Sequence, residues 1–343
     1  MITPNLLKGK NILFRADLDV PVEQGKVTND FRLQALLPSL KLCLENAAST
    51  LIIGHLGRPS SPSELVERGA ESQFGLNPIR EWLEKALNQS IFFIYSGFSP
   101  GEWAREQFPI AMFDNLRFHP GELNNDREFA AQILAGSDIY IYEAFAAYNK
   151  AMSLRIIPEV LPTLTGIQFD REVEALSQVI KNTDKPSLLI LSGSKEDKKD
   201  FVDKFVDKFD EILLGGKLAA MVQPHGNVIS ASLTEDGFDI DEASATLFTQ
   251  KIMSAKTVVV NGPLGRFEDG LHVQGTRIIL EAAKNSGAKV IIGGGDTLAA
   301  IPALGFSYSD FDFVSTGGGA MLEFLATGTH PLLDVLRLHP PAV

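Results

Sequence analysis

The sequence lacks the features that several classes of protein require. It contains 343 residues and one cysteine, Cys43, so an internal disulfide is impossible and a reducing compartment is expected. It has no apolar run of about 18 residues, and its N-terminal segment has no long apolar core of the kind found in a signal peptide. These absences predict a soluble, cytoplasmic protein.

Positive charge is scarce as well. The chain has 31 lysines and arginines against 43 aspartates and glutamates, which gives a net charge of −12. Nucleic acids and anionic membranes bind basic surfaces, so we expect neither as a partner. The P-loop pattern GxxxxGK[ST] and the dinucleotide-binding pattern GxGxxG are both absent. An ordinary P-loop NTPase and an ordinary dinucleotide-binding enzyme therefore have no motif to support them.

Short apolar runs alternate along the chain with segments of helical periodicity. A chain of this length is expected to form two domains, and near-continuous apolar strands with intervening helices indicate parallel sheets covered on both faces. The predicted strands are residues 11–14, 50–53, 91–95, 111–113, 138–142, 187–191, 211–214, 227–230, 257–260, 289–292 and 311–314. The fold class is therefore α/β, with two Rossmann-like lobes, each a mainly parallel sheet covered by helices, joined by an interdomain helix.

The domain boundaries follow from one helical segment near the middle of the chain. Residues 170–181 have acidic residues early and a lysine late, as expected of a helix between domains. We predict an N-terminal domain over 1–169, an interdomain helix over 170–183 and a C-terminal domain over 184–328. A proline-containing tail, 329–343, follows, with the N-terminal domain as the candidate surface on which it packs.

Glycines follow the predicted strands in the second half of the chain. The segments SGSK, LLGGK, NGPLG, GGGDT and STGGG each come directly after or at the end of an apolar run. Glycine loops of this kind expose backbone N–H groups at the carboxyl edge of a sheet, where a phosphate can approach. One such loop is explained by the needs of a sharp turn alone, whereas five on one sheet favour phosphate binding. Asp296, in GGGDT, could cap a helix or hold a magnesium ion.

Basic side chains follow the predicted strands in the first half instead. They are Arg15, Arg32, His55, Arg58, Arg117 and Lys150. Any one of these arginines taken alone is best explained as a solvated surface residue. Because arginine donates two parallel hydrogen bonds to phosphate or carboxylate, several of them after strands in an acidic protein favour a polyanion site.

Six segments of the sequence resemble the signature segments of the phosphoglycerate kinase family, in the family's order. They are FRADLDVPVEQGKVTNDFRLQALLPSL, GHLGRP, DNLRFHPGE, NGPLGRFE, GGGDT and STGGGAMLEFL, and the resemblance runs from about residue 11 to about residue 336. It implies the glycolytic enzyme activity: reversible phosphoryl transfer between 1,3-bisphosphoglycerate and ADP, giving 3-phosphoglycerate and ATP, with Mg²⁺. Small-molecule substrates and a monomer are expected.

The resemblance also implies roles for individual residues. The positions that bind phosphoglycerate are Arg15, Asp17, Asp19, His55, Arg58, Arg117 and Lys150. The positions that support the transferring phosphoryl group are Arg32, Lys195, Gly318 and Gly319, with Gly317 beside them. The positions that bind the nucleotide are Lys199, Gly216, Asn261, Pro263, Glu268, Gly294, Gly295 and Thr297, and Asp296 is the metal-linked carboxylate.

The sequence departs from the family pattern in both halves. Asp19 stands where the family has asparagine, and Lys150 replaces an arginine, between Asn149 and Met152, which replace histidines. Lys217 replaces the third glycine of a GGG turn, and Ser192 and Ser194 alter the family's GGAK turn. Between LLGGKLAAMV and GFDIDEA the family has a longer segment, with a helix that helps to form the wall of the adenine pocket. Here only QPHGNVISASLTED intervenes, so we expect a more open base pocket.

These departures leave two alternatives beside a working phosphoglycerate kinase. One is a related phosphotransferase that acts on another phosphorylated acid or nucleotide, which Asp19 and Lys150 favour. The other is a non-catalytic paralogue that binds a metabolite or a partner. The retained Arg32, Lys195 and Asp296 argue against it, because binding alone does not need charge placed in this way.

Overall fold

The computed structural model describes residues 2–59, 73–95, 108–193 and 198–340. The chain divides into two compact units. The first unit comprises residues 1–173 and 329–343, and the second comprises residues 174–328. The C-terminal tail thus groups with the first unit, and the division falls inside the helix Ile167–Lys181.

The first unit is built on a parallel sheet. Its strands, in chain order, are β1 (Asn11–Arg15), β2 (Val22–Glu23), β3 (Lys26–Val27), β4 (Ser49–Ile53), β5 (Phe92–Ile94), β6 (Ile110–Phe113), β7 (Ile139–Tyr142) and β8 (Thr163–Thr165). Six of them form the sheet in the order β5-β6-β4-β1-β7-β8, with every pair parallel, and β2 and β3 form a separate antiparallel hairpin. Every residue of β4, β6 and β7 is buried, as expected where helices cover both faces.

The second unit repeats this architecture. Its strands are β9 (Ser187–Leu191), β10 (Glu211–Leu214), β11 (Val228–Ser230), β12 (Thr257–Asn261), β13 (Lys289–Gly293) and β14 (Phe313–Val314). They form one parallel sheet in the order β11-β10-β9-β12-β13-β14. The strand order reverses between β9 and β12, and ligands of open α/β sheets bind in the crevice at such a point.

Helices connect the strands of both sheets. In chain order the described helices are α1 (Pro4–Leu7), α2 (Phe31–Asn46), α3 (Asn77–Leu87), α4 (Pro120–Asn124), α5 (Arg127–Leu134), α6 (Met152–Val160), α7 (Ile167–Lys181), α8 (Lys199–Phe205), α9 (Gly216–Met221), α10 (Glu242–Ser254), α11 (Gln274–Asn285), α12 (Gly295–Ala303), α13 (Gly319–Thr327) and α14 (Pro331–Leu338). In α2 the buried side chains Leu33, Leu36, Leu37 and Leu40 recur at helical spacing and pack into the core beneath the first sheet.

The predicted fold class, two lobes with parallel sheets covered by helices, is confirmed. Three short strands, β2, β3 and β8, were absent from the predicted set, because each contains a single apolar residue and so no apolar run marks it. None of the helices in the described part of the chain is both long enough and apolar enough to cross a membrane.

Candidate active site

Arg15 anchors the polar site of the first unit. It lies at the end of β1 and is 1% exposed. Its Nη1 donates to the Ala16 carbonyl at 2.7 Å, and its Nη2 lies 2.7 Å from His55 Nδ1. Its Nε donates to Ser153 Oγ at 3.3 Å, and that hydroxyl donates in turn to the buried Glu122 at 2.6 Å. These contacts hold a buried guanidinium in one orientation, as a buried charge requires.

His55 shows that the predicted basic residues come together. Burial lowers the pKa of His55 well below its usual range, and the charges of four nearby arginines lower it further. Those arginines are Arg15, Arg117, Arg32 and Arg58. We call these four residues the arginine cluster. It concentrates positive charge in a protein whose net charge is −12, and His55 stays neutral within it.

Two aspartates from the turn after β1 lie against this cluster. Asp17 is buried, and burial raises its pKa while Arg32, with Nε 3.6 Å from Asp17 Oδ2, acts in the opposite direction. Asp19 Oδ1 accepts a hydrogen bond from the Gly57 N–H at 2.8 Å, and its Oδ2 lies 3.9 Å from Arg32 Nη1. The departure from asparagine at position 19 therefore introduces a carboxylate that is paired, which offsets its repulsion of an anion.

Arg117 and Lys150 differ in how they are held. The guanidinium of Arg117 donates to the Gly57 carbonyl, and burial lowers its pKa. Lys150 is exposed, and its carbonyl accepts a hydrogen bond from Asn125 at 3.0 Å. The other six predicted phosphoglycerate-binding residues belong to the arginine cluster or interact with it. Within the described residues, Lys150 shows no hydrogen bond, ion pair or electrostatic interaction with that cluster.

In the second unit the ends of β12 and β13 and the start of α13 are tied together by hydrogen bonds. The Gly262 N–H donates to Thr297 Oγ1 at 2.8 Å, and Asn261 Nδ2 donates to the Gly318 carbonyl at 3.2 Å. Gly262 has φ +113°, and a Cβ atom there would overlap the Ser192 carbonyl. Only glycine fits this close approach of the turns after β9 and β12.

The two glycine loops after β13 and β14 also meet backbone to backbone. Gly294 precedes α12 with φ +109°, and Gly318 precedes α13. A Cβ atom on Gly318 would lie 3.0 Å from Gly294 Cα. The loops therefore leave bare main chain at the starts of two nine-residue helices, where a phosphate can accept N–H bonds.

A cavity of about 240 Å³ lies at the strand reversal of the second sheet. Four residues of the predicted nucleotide and metal site line it: Gly216, Pro263, Glu268 and Asp296. Lys217 lines it too, so the lysine that replaces a glycine faces the ligand space. Lys199 begins α8 and is exposed, and it does not line the cavity. Gly295 and Asp296 are exposed at the start of α12.

Three further residues were missed by sequence reasoning. Phe238 and Arg266 line the cavity. Lys198 Nζ donates to the Ser192 carbonyl at 2.5 Å and to the Asn261 carbonyl at 3.1 Å, so it joins the ends of β9 and β12. The segment KEDKK, residues 195–199, contains three lysines, and the sequence alone does not show which of them contacts the strand ends. Lys195, the predicted catalytic lysine, lies outside the described residues.

The residues around Asp296 fit a magnesium ion held together with a nucleotide. Within the described residues no group of three or more His, Cys, Asp or Glu side chains is positioned to hold a metal unaided. Mg²⁺ usually binds one or two carboxylates and completes its shell with phosphate oxygens and water. Asp296 supplies one carboxylate, and Asn261 Oδ1 is a buried oxygen without a hydrogen-bond partner among the described residues.

A family model described as phosphoglycerate kinase matches residues 2–236 and 226–328 of the chain. The two matched stretches overlap at residues 226–236, within the segment that the sequence analysis identifies as shorter than the family pattern. Phosphoglycerate kinases of Leifsonia xyli subsp. xyli and Thermus thermophilus are each 30% identical over 96% of this chain and 97% of their own. The alignment with the first spans 397 positions, more than the 343 residues present here.

Solved structures agree with these matches. The phosphoglycerate kinase from Coxiella burnetii superposes with a TM-score of 0.76 at 28% identity and 97% coverage of both chains. The phosphoglycerate kinase from Pyrococcus horikoshii superposes with a TM-score of 0.82 at 24% identity, again with 97% coverage of both chains, which shows the shared fold.

Proposed function

Because the chain belongs to the phosphoglycerate kinase family, we propose that it transfers the acyl phosphate of 1,3-bisphosphoglycerate to ADP, reversibly, giving 3-phosphoglycerate and ATP. It is a kinase, and its nucleotide is a substrate. The observation that carries the proposal is the arginine cluster around a neutral His55 in a chain of net charge −12. A polyanionic substrate is the ligand for which such a local concentration of guanidinium groups is suited.

The first unit binds the phosphoglycerate. Arg58 and Arg117 present planar donors to its phosphate and carboxylate groups, and the buried Arg15 adds its positive charge to the same site. Asp17 is a buried carboxyl suited to a substrate hydroxyl. His55 adds a neutral ring that can donate or accept one hydrogen bond without altering the charge balance. Asp19 holds the turn at Gly57 in place through a hydrogen bond, and its negative charge lowers the positive potential of the site.

The second unit binds the nucleotide in the cavity at the β9–β12 reversal. Glu268 lies at its wall, where its carboxylate can accept from ribose hydroxyls. The main chain at Gly294, Gly295 and Gly318 donates to phosphate oxygens. Asp296 and the nucleotide phosphates together would hold Mg²⁺, which supplies charge neutralisation when bound.

Transfer itself needs positioning and charge stabilisation more than a strong base. We assign Arg32 and Lys195 to the transferring phosphoryl group, with the N–H groups of Gly318 and Gly319 as further donors. Arg32 is held by its own hydrogen bond from Nη1 to the Asp19 carbonyl at 2.6 Å, so the guanidinium is placed before substrate arrives.

The remaining expectations are also part of the proposal. One chain supplies both the arginine cluster and the cavity, so the monomer is the working unit. The single cysteine favours a reducing compartment, in keeping with glycolysis in the cytoplasm. The acidic charge balance favours small-molecule partners over nucleic acid or membrane.

The test is turnover of purified protein with Mg²⁺, ATP and 3-phosphoglycerate, coupled to reduction of the product. Arg32→Ala should lower turnover at least about a hundredfold, because it removes a preorganised donor from the transferring group. Affinity for ADP should stay within about threefold of the wild type. Arg337→Ala is the matched control, because Arg337 is exposed on α14 and pairs with Asp334.

Each result has a distinct meaning. Activity that Arg32→Ala abolishes and Arg337→Ala keeps supports the proposal and excludes a contaminating host enzyme. Activity that survives in Arg32→Ala contradicts the role of Arg32. A wild type that is inactive at millimolar substrates contradicts the proposed reaction, and thermal-shift screening with other phosphorylated acids then tests the first alternative.

A further inference from the structure

One wall of the nucleotide cavity follows the stretch in which the two segments matched by the family model overlap. This stretch, 226–236, leads directly into Gly237 and Phe238, and both of these residues line the cavity. Phe238 faces Arg266 across this wall: the guanidinium carbon lies 3.8 Å from the centre of the phenyl ring. The Arg266 N–H also donates to the Phe238 carbonyl at 2.9 Å. The guanidinium therefore stacks on the phenyl ring, and the backbone hydrogen bond keeps the two residues next to each other.

His272 lies outside the cavity lining and contacts the aspartates that hold Phe238 and Arg266. Its Nδ1 lies 2.6 Å from Asp269 Oδ2, and its Nε2 lies 2.7 Å from Asp236 Oδ2. Asp269 Oδ2 also accepts from Arg266 Nε at 2.8 Å. Asp236 Oδ1 accepts from the Phe238 N–H at 3.1 Å, which closes the network.

The network links two separate segments of the chain. Asp236 and Phe238 come from the connection between β11 and α10, and Arg266, Asp269 and His272 come from the loop between β12 and α11. His272 is 15% exposed at its side chain and its ring centre lies 5.3 Å from that of Phe238. It does not line the cavity, so its effect on a ligand must pass through the two residues that do.

We propose that His272 is a positioning residue for the nucleotide: by bridging Asp236 to Asp269 it holds Phe238 and Arg266 as the wall against which the base or ribose packs. The proposal rests on the proposed function, because that function assigns the nucleotide to this cavity. The connection before Phe238 is the one that is shorter than the family pattern. The bridge takes the place of a longer connecting segment.

The charge on His272 sets the strength of the bridge. The charged groups that act on the ring are Asp236 and Asp239 from the first segment and Asp269 from the second, and Arg266 pairs with Asp269. Hydrogen bonds to Asp269 and Asp236 raise the pKa of His272 above its usual value. A protonated ring donates to both carboxylates, whereas a neutral ring donates to one and turns a lone pair toward the other.

A pH dependence follows. Because the folded-state pKa of His272 is raised, the bridge is complete below its ordinary pKa of about 6.5 and weakens as the pH rises through the folded-state value. We expect the affinity for ADP to fall over that range. Affinity for 3-phosphoglycerate, which binds to the first unit, should not follow the same curve.

The experiment measures ADP and 3-phosphoglycerate affinity by calorimetry from pH 6 to pH 9. His272→Gln should weaken ADP binding about tenfold at pH 6 and remove the fall in ADP affinity at higher pH, with 3-phosphoglycerate affinity unchanged. Asp236→Asn, at an exposed side chain, should weaken ADP binding in the same direction without risk to the core. His225→Gln is the matched control, because His225 is exposed and pairs with Asp203 away from the cavity.

The outcomes separate this inference from the proposed reaction. Equal ADP affinity in His272→Gln and His225→Gln overturns it, and so does an equal loss of both ligands, which indicates general unfolding. A wild type that fails to bind ADP overturns it as well. A wild type that binds ADP in a His272-dependent way but shows no turnover supports the inference and contradicts the proposed reaction.

Discussion

The two units share one architecture and place different chemistry at the same edge of it. Each has six described parallel strands with its polar site at their carboxyl ends. The first unit uses buried side-chain charge: Arg15 is 1% exposed and is satisfied by Ser153, His55 and the main chain. The second unit uses bare main chain at Gly262, Gly294 and Gly318.

The difference teaches what each kind of site depends on. A site of buried charges depends on partners, because an unpaired buried charge is strongly destabilising. A site of backbone donors depends on space, because any side chain at the close approach displaces the main chain. The first unit should therefore respond to changes of charge and the second to changes of volume.

The largest effect is expected from Gly262→Ala in the second unit. The new Cβ atom would overlap the Ser192 carbonyl at a φ of +113°, so we expect a loss of about 3 kcal/mol of stability together with ADP binding. Gly270→Ala is the control: φ is +72° and no atom lies within 4 Å of its Cβ, so about 1 kcal/mol should be lost. Urea denaturation measures the stability of both variants. Similar losses in the two would contradict the claim that Gly262 is required because no space is available for a side chain.

The next effect concerns Glu143, a buried carboxyl of the first unit. Burial raises its pKa to about 8, although Ser39 and the Gln168 and Phe169 N–H groups donate to it. The folded state therefore binds a proton that the unfolded state releases above about pH 4.5, so this group lowers stability as the pH rises toward 8.

Glu143→Gln should remove that dependence. Between pH 6 and pH 8 the wild type should lose about 2 kcal/mol relative to the variant, measured by parallel urea denaturation. The comparison at pH 6 serves as the control, because the protonated carboxyl and the amide carry the same charge. A constant difference between the two proteins across this range would show that Glu143 is ionised in the fold.

Asp19→Asn tests whether charge governs the first unit's ligand. Asparagine can keep the hydrogen bond from the Gly57 N–H while removing a negative charge beside Arg32. We expect 3-phosphoglycerate to bind about fivefold more tightly, with ADP affinity unchanged. Asp30→Asn, at the start of α2, is the control carboxylate. Weaker binding by Asp19→Asn would mean that its carboxylate orients Arg32 instead of repelling the ligand.

The smallest effect is expected from Lys150→Arg. Lys150 is exposed, and a planar fork in its place can donate two parallel hydrogen bonds to a phosphate. We expect about threefold tighter 3-phosphoglycerate binding, measured by calorimetry beside Lys41→Arg, which lies on α2 and is also exposed. Unchanged or weaker binding of 3-phosphoglycerate would show that Lys150 does not contact this substrate.

Much of the fold follows from the sequence, because long apolar strands and periodic helices are strong signals. The predicted strands 187–191 and 211–214 coincide with β9 and β10. The short β8 was missed, because its sequence, TLT, contains only one apolar residue. The structure also starts α7 at Ile167, three residues before the predicted start. The first N–H of this helix donates to Ser39, and the next two donate to the Glu143 side chain, so its start depends on residues distant in the sequence.

The site was less predictable where it depends on contacts between distant segments. Most of the arginine cluster could be predicted, because Arg15, Arg58 and Arg117 lie at or after the ends of strands that meet at one edge of a sheet. The pairing of Asp19 with the Gly57 N–H could not, because it joins residues 38 positions apart. The Phe238–Arg266 wall could not either, because it joins two loops that are distant in the sequence and neither residue follows a strand directly.

The most direct test of the division between the units is a crossed binding experiment. Affinities of 3-phosphoglycerate and ADP would be measured by calorimetry for the wild type, Arg58→Ala and Glu268→Ala, both exposed positions. We expect Arg58→Ala to weaken 3-phosphoglycerate about tenfold and to leave ADP unchanged, and Glu268→Ala to do the reverse. Loss of both ligands in either variant, or the opposite assignment, would contradict the account.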